Sequence, residues 1–147
     1  MKWKQLQAEG PKTFALVFDK GDEVIDTLTA FAHQQGLTAA HFTGLGAFRR
    51  AVLGFFDWDL KDYKRIPVEE QVEVVAFVGD VTCDAEGGTK LHPHVVVSKA
   101  DGTAHGGHLL EAEVRPTLEV VIEETPAHLR RRQDPETGLP LIVIDER

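Results

Sequence analysis

The residues able to do chemistry are concentrated in Leu91 to Leu110, LHPHVVVSKADGTAHGGHLL, which holds four of the seven histidines: His92, His94, His105 and His108. A strand places alternate side chains on one face, so His92 and His94 point together while Pro93 points away. Ala100-Asp101-Gly102 reads as a three-residue hairpin loop with Gly102 in the left-handed position. Closing that loop between Lys99 and Thr103 pairs residues whose numbers sum to 202. His94 then lies opposite His108, with His92 diagonal to it on the same face. Directly opposed Cβ atoms are roughly 4.5–5.5 Å apart, and diagonal neighbours stay within reach of long side chains. Three imidazoles can therefore meet at one point. That arrangement suits a divalent cation that takes three protein nitrogens and keeps a position open.

The argument depends on register. A one-residue slip turns His108 to the other face, and Gly106-Gly107 is the place where a bulge would cause it. The same two glycines can instead let a neighbour or a ligand approach the backbone closely. His105 has the opposite parity and stays outside the metal set. Glu111 and Glu113 also face away from His108 on this register, which leaves Glu119, read as lying on another strand, as the best remaining carboxylate candidate, as structural partner or as base. Gly44-Leu45-Gly46 reads as a tight turn needing positive φ, and in an oligomer Gly44 and Gly46 can line a cleft. A cupin site needs a glutamate four or five positions after its HxH pair, where this chain has Ser98 and Lys99. No Gly-x-Ser-x-Gly elbow and no Gly-Lys-Ser/Thr phosphate loop occurs.

The elements that must position these residues read as one α+β domain over residues 1–147. Thr13 to Phe18 is a short buried strand. Asp22 is placed to cap a helix whose apolar face is Val24, Ile25, Leu28, Phe31 and Ala32, and Gly36 stops it. From there the pattern is β: Leu37 to Phe42, Ala47 to Asp57, a polar hairpin and a short strand to Ile66. Val72 to Thr82 follows, apolar at nearly every position and so expected to be covered on both faces. Beyond the histidine hairpin come Leu109 to Val114 and Thr117 to Glu123, with an edge or break expected at Pro116. Residues 126–138 are polar and carry Arg130-Arg131-Arg132, and Leu139 to Asp145 returns as a last strand. The sum is a mostly antiparallel sheet of about seven strands flanked by one main helix.

Composition narrows the function. The net charge of −8 argues against a surface built for phosphate backbones. Arg49-Arg50 and Arg130-Arg131-Arg132 read as solvated faces or partners for the abundant carboxylates. In a trimer, Arg130 to Arg132 can also be gathered into a basic ring. No apolar run reaches the length of a membrane span. The single cysteine, Cys83, fits a reducing cytoplasm and reads as a small strand residue rather than a nucleophile.

Gly44-Leu45-Gly46-Ala47, Val52-Leu53-Gly54-Phe55-Phe56-Asp57, Leu91-His92-Pro93-His94, Asp101-Gly102 and Gly106-Gly107-His108-Leu109 follow one another in an order that resembles one family. It is the PPC (plants and prokaryotes conserved) domain, also described as a PD1-like DNA-binding domain. The likeness is strongest over residues 13–123 and leaves 124–147 as a C-terminal extension. It implies an antiparallel sheet flanked by a helix and a homotrimer. It also implies a metal, often zinc, on histidines matching His92, His94 and His108. Plant relatives pair the domain with an AT-hook built on Arg-Gly-Arg-Pro, a motif this chain lacks.

Three functions follow for testing: a trimeric metal-binding module with an interaction role, a zinc-dependent enzyme or small-ligand binder using the open metal position, and association with DNA. The sequence names no catalytic residue and no substrate.

Overall fold

The computed structural model describes residues 1–7, 9–84, 86–125 and 129–144. Among these residues, nine strands and one helix follow in the order β1 (Lys2–Gln5), β2 (Thr13–Phe18), α1 (Val24–Gln34), β3 (Ala40–Asp57), β4 (Asp62–Val68), β5 (Val72–Cys83), β6 (Thr89–Ser98), β7 (Ala104–Glu124), β8 (Arg130–Gln133) and β9 (Pro140–Val143). The fold is mostly sheet with a single helix, as the patterning implies. β1 and β8 are additions to the expected set, because four-residue strands carry too little alternation to stand out.

Two strands dominate. β3 has 18 residues and β7 has 21. At about 3.3 Å per residue a straight β7 would run roughly 70 Å, far more than the width of a domain this size. Both must therefore bend, and their mutual register shifts at three places. One shift lies around Pro116: Phe48 pairs with Val114 and Gly46 with Leu118, so the intervening residues bulge. A Cβ on Gly46 would collide with the Thr117 carbonyl of that bulge. Pro116 thus neither ends nor edges the strand, and β7 runs through it. Likewise Gly44-Leu45-Gly46 is not a turn. It lies inside continuous β3, where a second irregularity falls in the pairing with β5.

β3 pairs with β5 and β7, and β6 also pairs with β5 and β7, so these four strands return on themselves as a closed ring. β4 extends β3, while β1 and β2 extend β7. A β8–β9 hairpin hangs from the end of β5 through the single pairing of Cys83 with Arg130. Helix α1 buries Val24, Leu28, Phe31 and Ala32 on one side of the sheet, where Phe31 meets Phe14 edge-on with centroids 5.2 Å apart. Its N-cap is Glu23 rather than Asp22. The Glu23 carboxylate accepts from Asp26 N at 2.7 Å and from Ala112 N at 3.0 Å, tying the helix start to β7. Asp22 instead accepts from the Asp19 amide at the end of β2. Gly36, at φ +66°, supplies the stop.

The other side of the sheet is open. Val75 and Val78 of β5 are 54% and 45% exposed, so β5 is covered on one face within the chain, not on both. They join Val17, Leu45 and Val121 in an apolar surface around a hollow of about 520 Å³.

Candidate functional site

The β6–β7 hairpin positions the histidines. Lys99 N donates to Thr103 O at 2.9 Å and Gly102 N to Lys99 O at 2.9 Å, while the Asp101 carboxylate accepts from the Thr103 amide and hydroxyl. Gly102, at φ +82°, takes the left-handed position that a side chain would strain. His94 pairs directly with His108, and every pair from there to Ser98 and Ala104 sums to 202. His105 pairs with core-facing Val97, away from the other three.

His92, His94 and His108 each offer a ring nitrogen lying within 4.8 Å of the others. His92 Nε2 and His94 Nε2 are 3.2 Å apart. Nitrogens this close can be ligands of one cation. His108 Nδ1 is buried without a protein partner among the described residues, which is costly unless something outside the chain meets it. The donor set thus fits a divalent cation of the zinc type. Its electrostatics agree. Burial, and then repulsion from any positive charge on His92, His94 and Arg131, drives the His108 pKa down to about 4. Burial and then His92 lower that of His94 as well. Both rings are therefore neutral, the form that ligates, at neutral pH.

Around the cluster lie residues that the sequence reading missed. Asp80 on β5 pairs with His92, and its Oδ2 lies 3.7 Å from His92 Nδ1. Arg131 of β8 reaches in, its Nη2 at 2.7 and 2.9 Å from the two Asp80 oxygens and 3.3 Å from His92 Nδ1. Its Nε donates to Thr82 Oγ1 at 2.9 Å, and Nη1 donates to Pro140 O at 2.8 Å. Only 8% of Arg131 is exposed, so it belongs to no basic surface ring. Burial pushes the Asp80 carboxyl upward, but the hydrogen bonds of His92 and Arg131 and their charges outweigh it and hold the group below its usual range. The Asp80 carboxylate and the Arg131 guanidinium thus both face His92 Nδ1 and leave Nε2 turned toward the other histidines. An ion pair packed against a ring in this way orients an imidazole for metal binding.

Tyr63 of β4 lies against His108, centroids 4.8 Å apart and planes 30° from parallel, and burial raises its pKa. Gly54 makes the room: a Cβ there would sit 2.8 Å from the Tyr63 ring. Gly107 likewise lets β7 close on β3, since its Cβ would be 2.7 Å from the Gly54 carbonyl. Gly106 lies beside the β6 backbone, near Val95 O.

Glu119 stands eleven residues beyond His108 on β7, past the Pro116 bulge and paired with Val17 and Leu45, about 35 Å further along the path of the strand. It does not touch the histidines. With Gly44 it lines the hollow of the open apolar face, and Gly46 packs on the β7 bulge. Glu111 pairs with Arg65 and Arg50, and Glu113 with Arg49 and Arg50. The carboxylate beside the cluster is Asp80.

Known proteins share this architecture. Residues 5–126 match the sequence profile of the Plants and Prokaryotes Conserved (PCC) domain. The fold superposes on a metal-containing protein of Archaeoglobus fulgidus with a TM-score of 0.83 and 30% identity, covering 98% of this chain and 99% of that one. A protein of Bacteroides thetaiotaomicron, assigned provisionally to DNA binding, superposes with a TM-score of 0.85 and 25% identity over 96% of both chains. Among curated proteins, the bifunctional protein GlmU of Synechococcus sp. strain JA-3-3Ab is 31% identical over 129 residues, 86% of this chain. The chain spans 19% of that relative's length.

Proposed function

The chain belongs to the Plants and Prokaryotes Conserved domain family, and from that premise we propose that it is a homotrimeric module holding a divalent metal, zinc, through His92, His94 and His108. The carrying observation is the convergence of three ring nitrogens within 4.8 Å, beside a buried His108 Nδ1 that has no hydrogen-bond partner among the described residues. The 30% identical Archaeoglobus protein, described as metal-containing, supports it. The trimer draws support from the open apolar face. Leu45, Val75 and Val78 are more exposed than a single chain gains from. We take the cytoplasm as its compartment, since the one thiol, Cys83, is free. No described helix is long and apolar enough to cross a membrane.

DNA association is the weaker reading. It has a relative's provisional assignment behind it, but the charge is −8, Arg49, Arg50 and Arg65 are spent on Glu111 and Glu113, and Arg131 is buried. A zinc-dependent enzyme or ligand-binding role is the stronger alternative. A metal on three imidazoles supplies a Lewis acid and a bound water of pKa about 7. Toward such a role His92, His94 and His108 bind, and Asp80 with Arg131 orients His92. Tyr63 stacks on the ring of His108, and Leu139 to Leu141 of the β8–β9 hairpin line the cavity beside it.

Elemental analysis of the untagged protein, with light scattering, tests the proposal. One zinc per chain and a trimeric mass are expected, and His94→Ala and His108→Ala must each lose the metal. Wild-type zinc content in His108→Ala would refute the ligand set. A gel shift on duplex DNA across a salt series tests the DNA reading, which requires retardation that falls steeply with salt.

A further inference from the structure

A cavity of about 200 Å³ adjoins the histidines, with His92 and His108 in its wall. The remaining wall is largely apolar: the Tyr63 ring, Leu91, and Leu139 to Leu141 from the β8–β9 hairpin. That hairpin lies beyond residue 126, where the family match ends. It is pinned over the cavity by one guanidinium, since Arg131 bonds both Pro140 O and Asp80.

The charges decide what fits. Arg131 is neutralised by Asp80, and Lys90 at the rim is 3.3 Å from Asp84. Among the described residues no carboxylate lines the cavity. A divalent ion on three neutral imidazoles would therefore leave the site with a net charge near +2, favouring an anionic head. A bare inorganic anion would leave the leucines unused. The volume corresponds to about seven waters, below the roughly 300 Å³ at which drug-sized pockets begin. Resting on the metal reading above, we propose that this cavity binds a short aliphatic monocarboxylate of about four to six carbons. Its carboxylate turns to the wall formed by His92 and His108, where the metal would be held, and its alkyl tail lies against Leu91, Leu139 and Leu141.

The test is calorimetric titration of zinc-loaded protein, its zinc content verified by elemental analysis, with acetate, butyrate, hexanoate and the neutral butyramide. Affinity should rise about fourfold per added methylene until the cavity fills, and butyramide should bind at least tenfold more weakly than butyrate. Leu141→Asp places a carboxylate in the wall at a position 43% exposed, where the fold tolerates it. That variant should keep its zinc and lose butyrate affinity at least tenfold. Zinc-loaded protein that binds butyrate no better than acetate or butyramide, or a Leu141→Asp variant with unchanged affinity, overturns the ligand assignment and leaves the metal reading standing. Failure to load zinc at all overturns both.

Discussion

Replacing Asp80 tests the support of the site apart from its ligands. Its carboxylate holds both ends of a contact: Arg131 Nη2 at 2.7 and 2.9 Å, and His92 Nδ1 at 3.7 Å. The Arg131 side chain is 7% exposed and that of Asp80 26%. Breaking a buried ion pair by removing one partner costs about 3–5 kcal/mol, because the other charge is stranded. Asp80 is partly solvated, so the lower end applies to Asp80→Ala, about 3 kcal/mol. Asn keeps the shape and one acceptor for Arg131, recovering about 1 kcal/mol, so Asp80→Asn should cost about 2 kcal/mol. Urea unfolding at pH 7 in chelator measures this without the metal's own contribution. The decisive comparison is Asp80→Asn with Arg131→Met. With no charge left buried, the double variant should recover most of the loss rather than add to it. Zinc affinity of Asp80→Asn should fall 10–100-fold, roughly the measured worth of such supporting partners. A single variant within 0.5 kcal/mol of wild type, or strict additivity in the double, would refute the claim that this pair sustains the site.

The remaining predictions address pH, packing and assembly. His108 titrates at about 4 when folded against an ordinary 6.5, so below 6.5 the unfolded chain takes up a proton that the fold refuses. Metal-free stability is therefore intact above pH 6.5 and falls as pH drops toward 4. His108→Phe should flatten that fall in chelator, by about 1–2 kcal/mol once solvent screening of a half-buried ring is allowed for; equal pH slopes would count against it. Gly107→Ala forces a Cβ to 2.7 Å from the Gly54 carbonyl, should cost about 1–3 kcal/mol, and should weaken zinc binding by moving His108. Leu45→Asp, on a residue 62% exposed in the single chain, should leave the fold intact by circular dichroism and shift the mass to that of a monomer; an unchanged trimer would place the interface elsewhere.

What was legible in the sequence was local. The hairpin register followed from a three-residue loop ending in Gly102, and alternation did the rest: His92, His94 and His108 met because 94 and 108 sum to 202. The helix was legible for the same reason, since its apolar stripe repeats within four residues. Glycines misled. Gly44 and Gly46 looked like a turn, yet they serve close backbone approach inside one long strand, where Gly46 admits the Thr117 carbonyl of a bulge. Only the neighbouring strand reveals which use a glycine has. The β5 run misled for a similar reason. Apolar residues at nearly every position implied two covered faces, whereas Val75 and Val78 are left uncovered by this chain. A sequence records that a face must be covered, not whether the cover belongs to the same chain.

The residues around the histidines were hidden for a deeper reason, and Glu119 shows it. It stood as a candidate because a break at Pro116 would have put it on another strand, free to return to the histidines; β7 instead runs through Pro116, and eleven residues along one strand carry a side chain away from any local site. The true carboxylate, Asp80, lies opposite His92 on a different strand. The cation that neutralises it comes from a segment 51 residues further on. Two faint signals were present. Asp80 is the carboxylate within the otherwise apolar Phe77 to Val81, a position that burial makes costly unless a partner waits. In Arg130-Arg131-Arg132, a strand turns the middle residue to the opposite side from its neighbours, and here it turns Arg131 inward while Arg130 and Arg132 stay exposed. Each signal demands a partner without naming it. Read together, one half-buried acid and one inward arginine identify each other, and their meeting beside His92 links the C-terminal hairpin to the candidate metal centre.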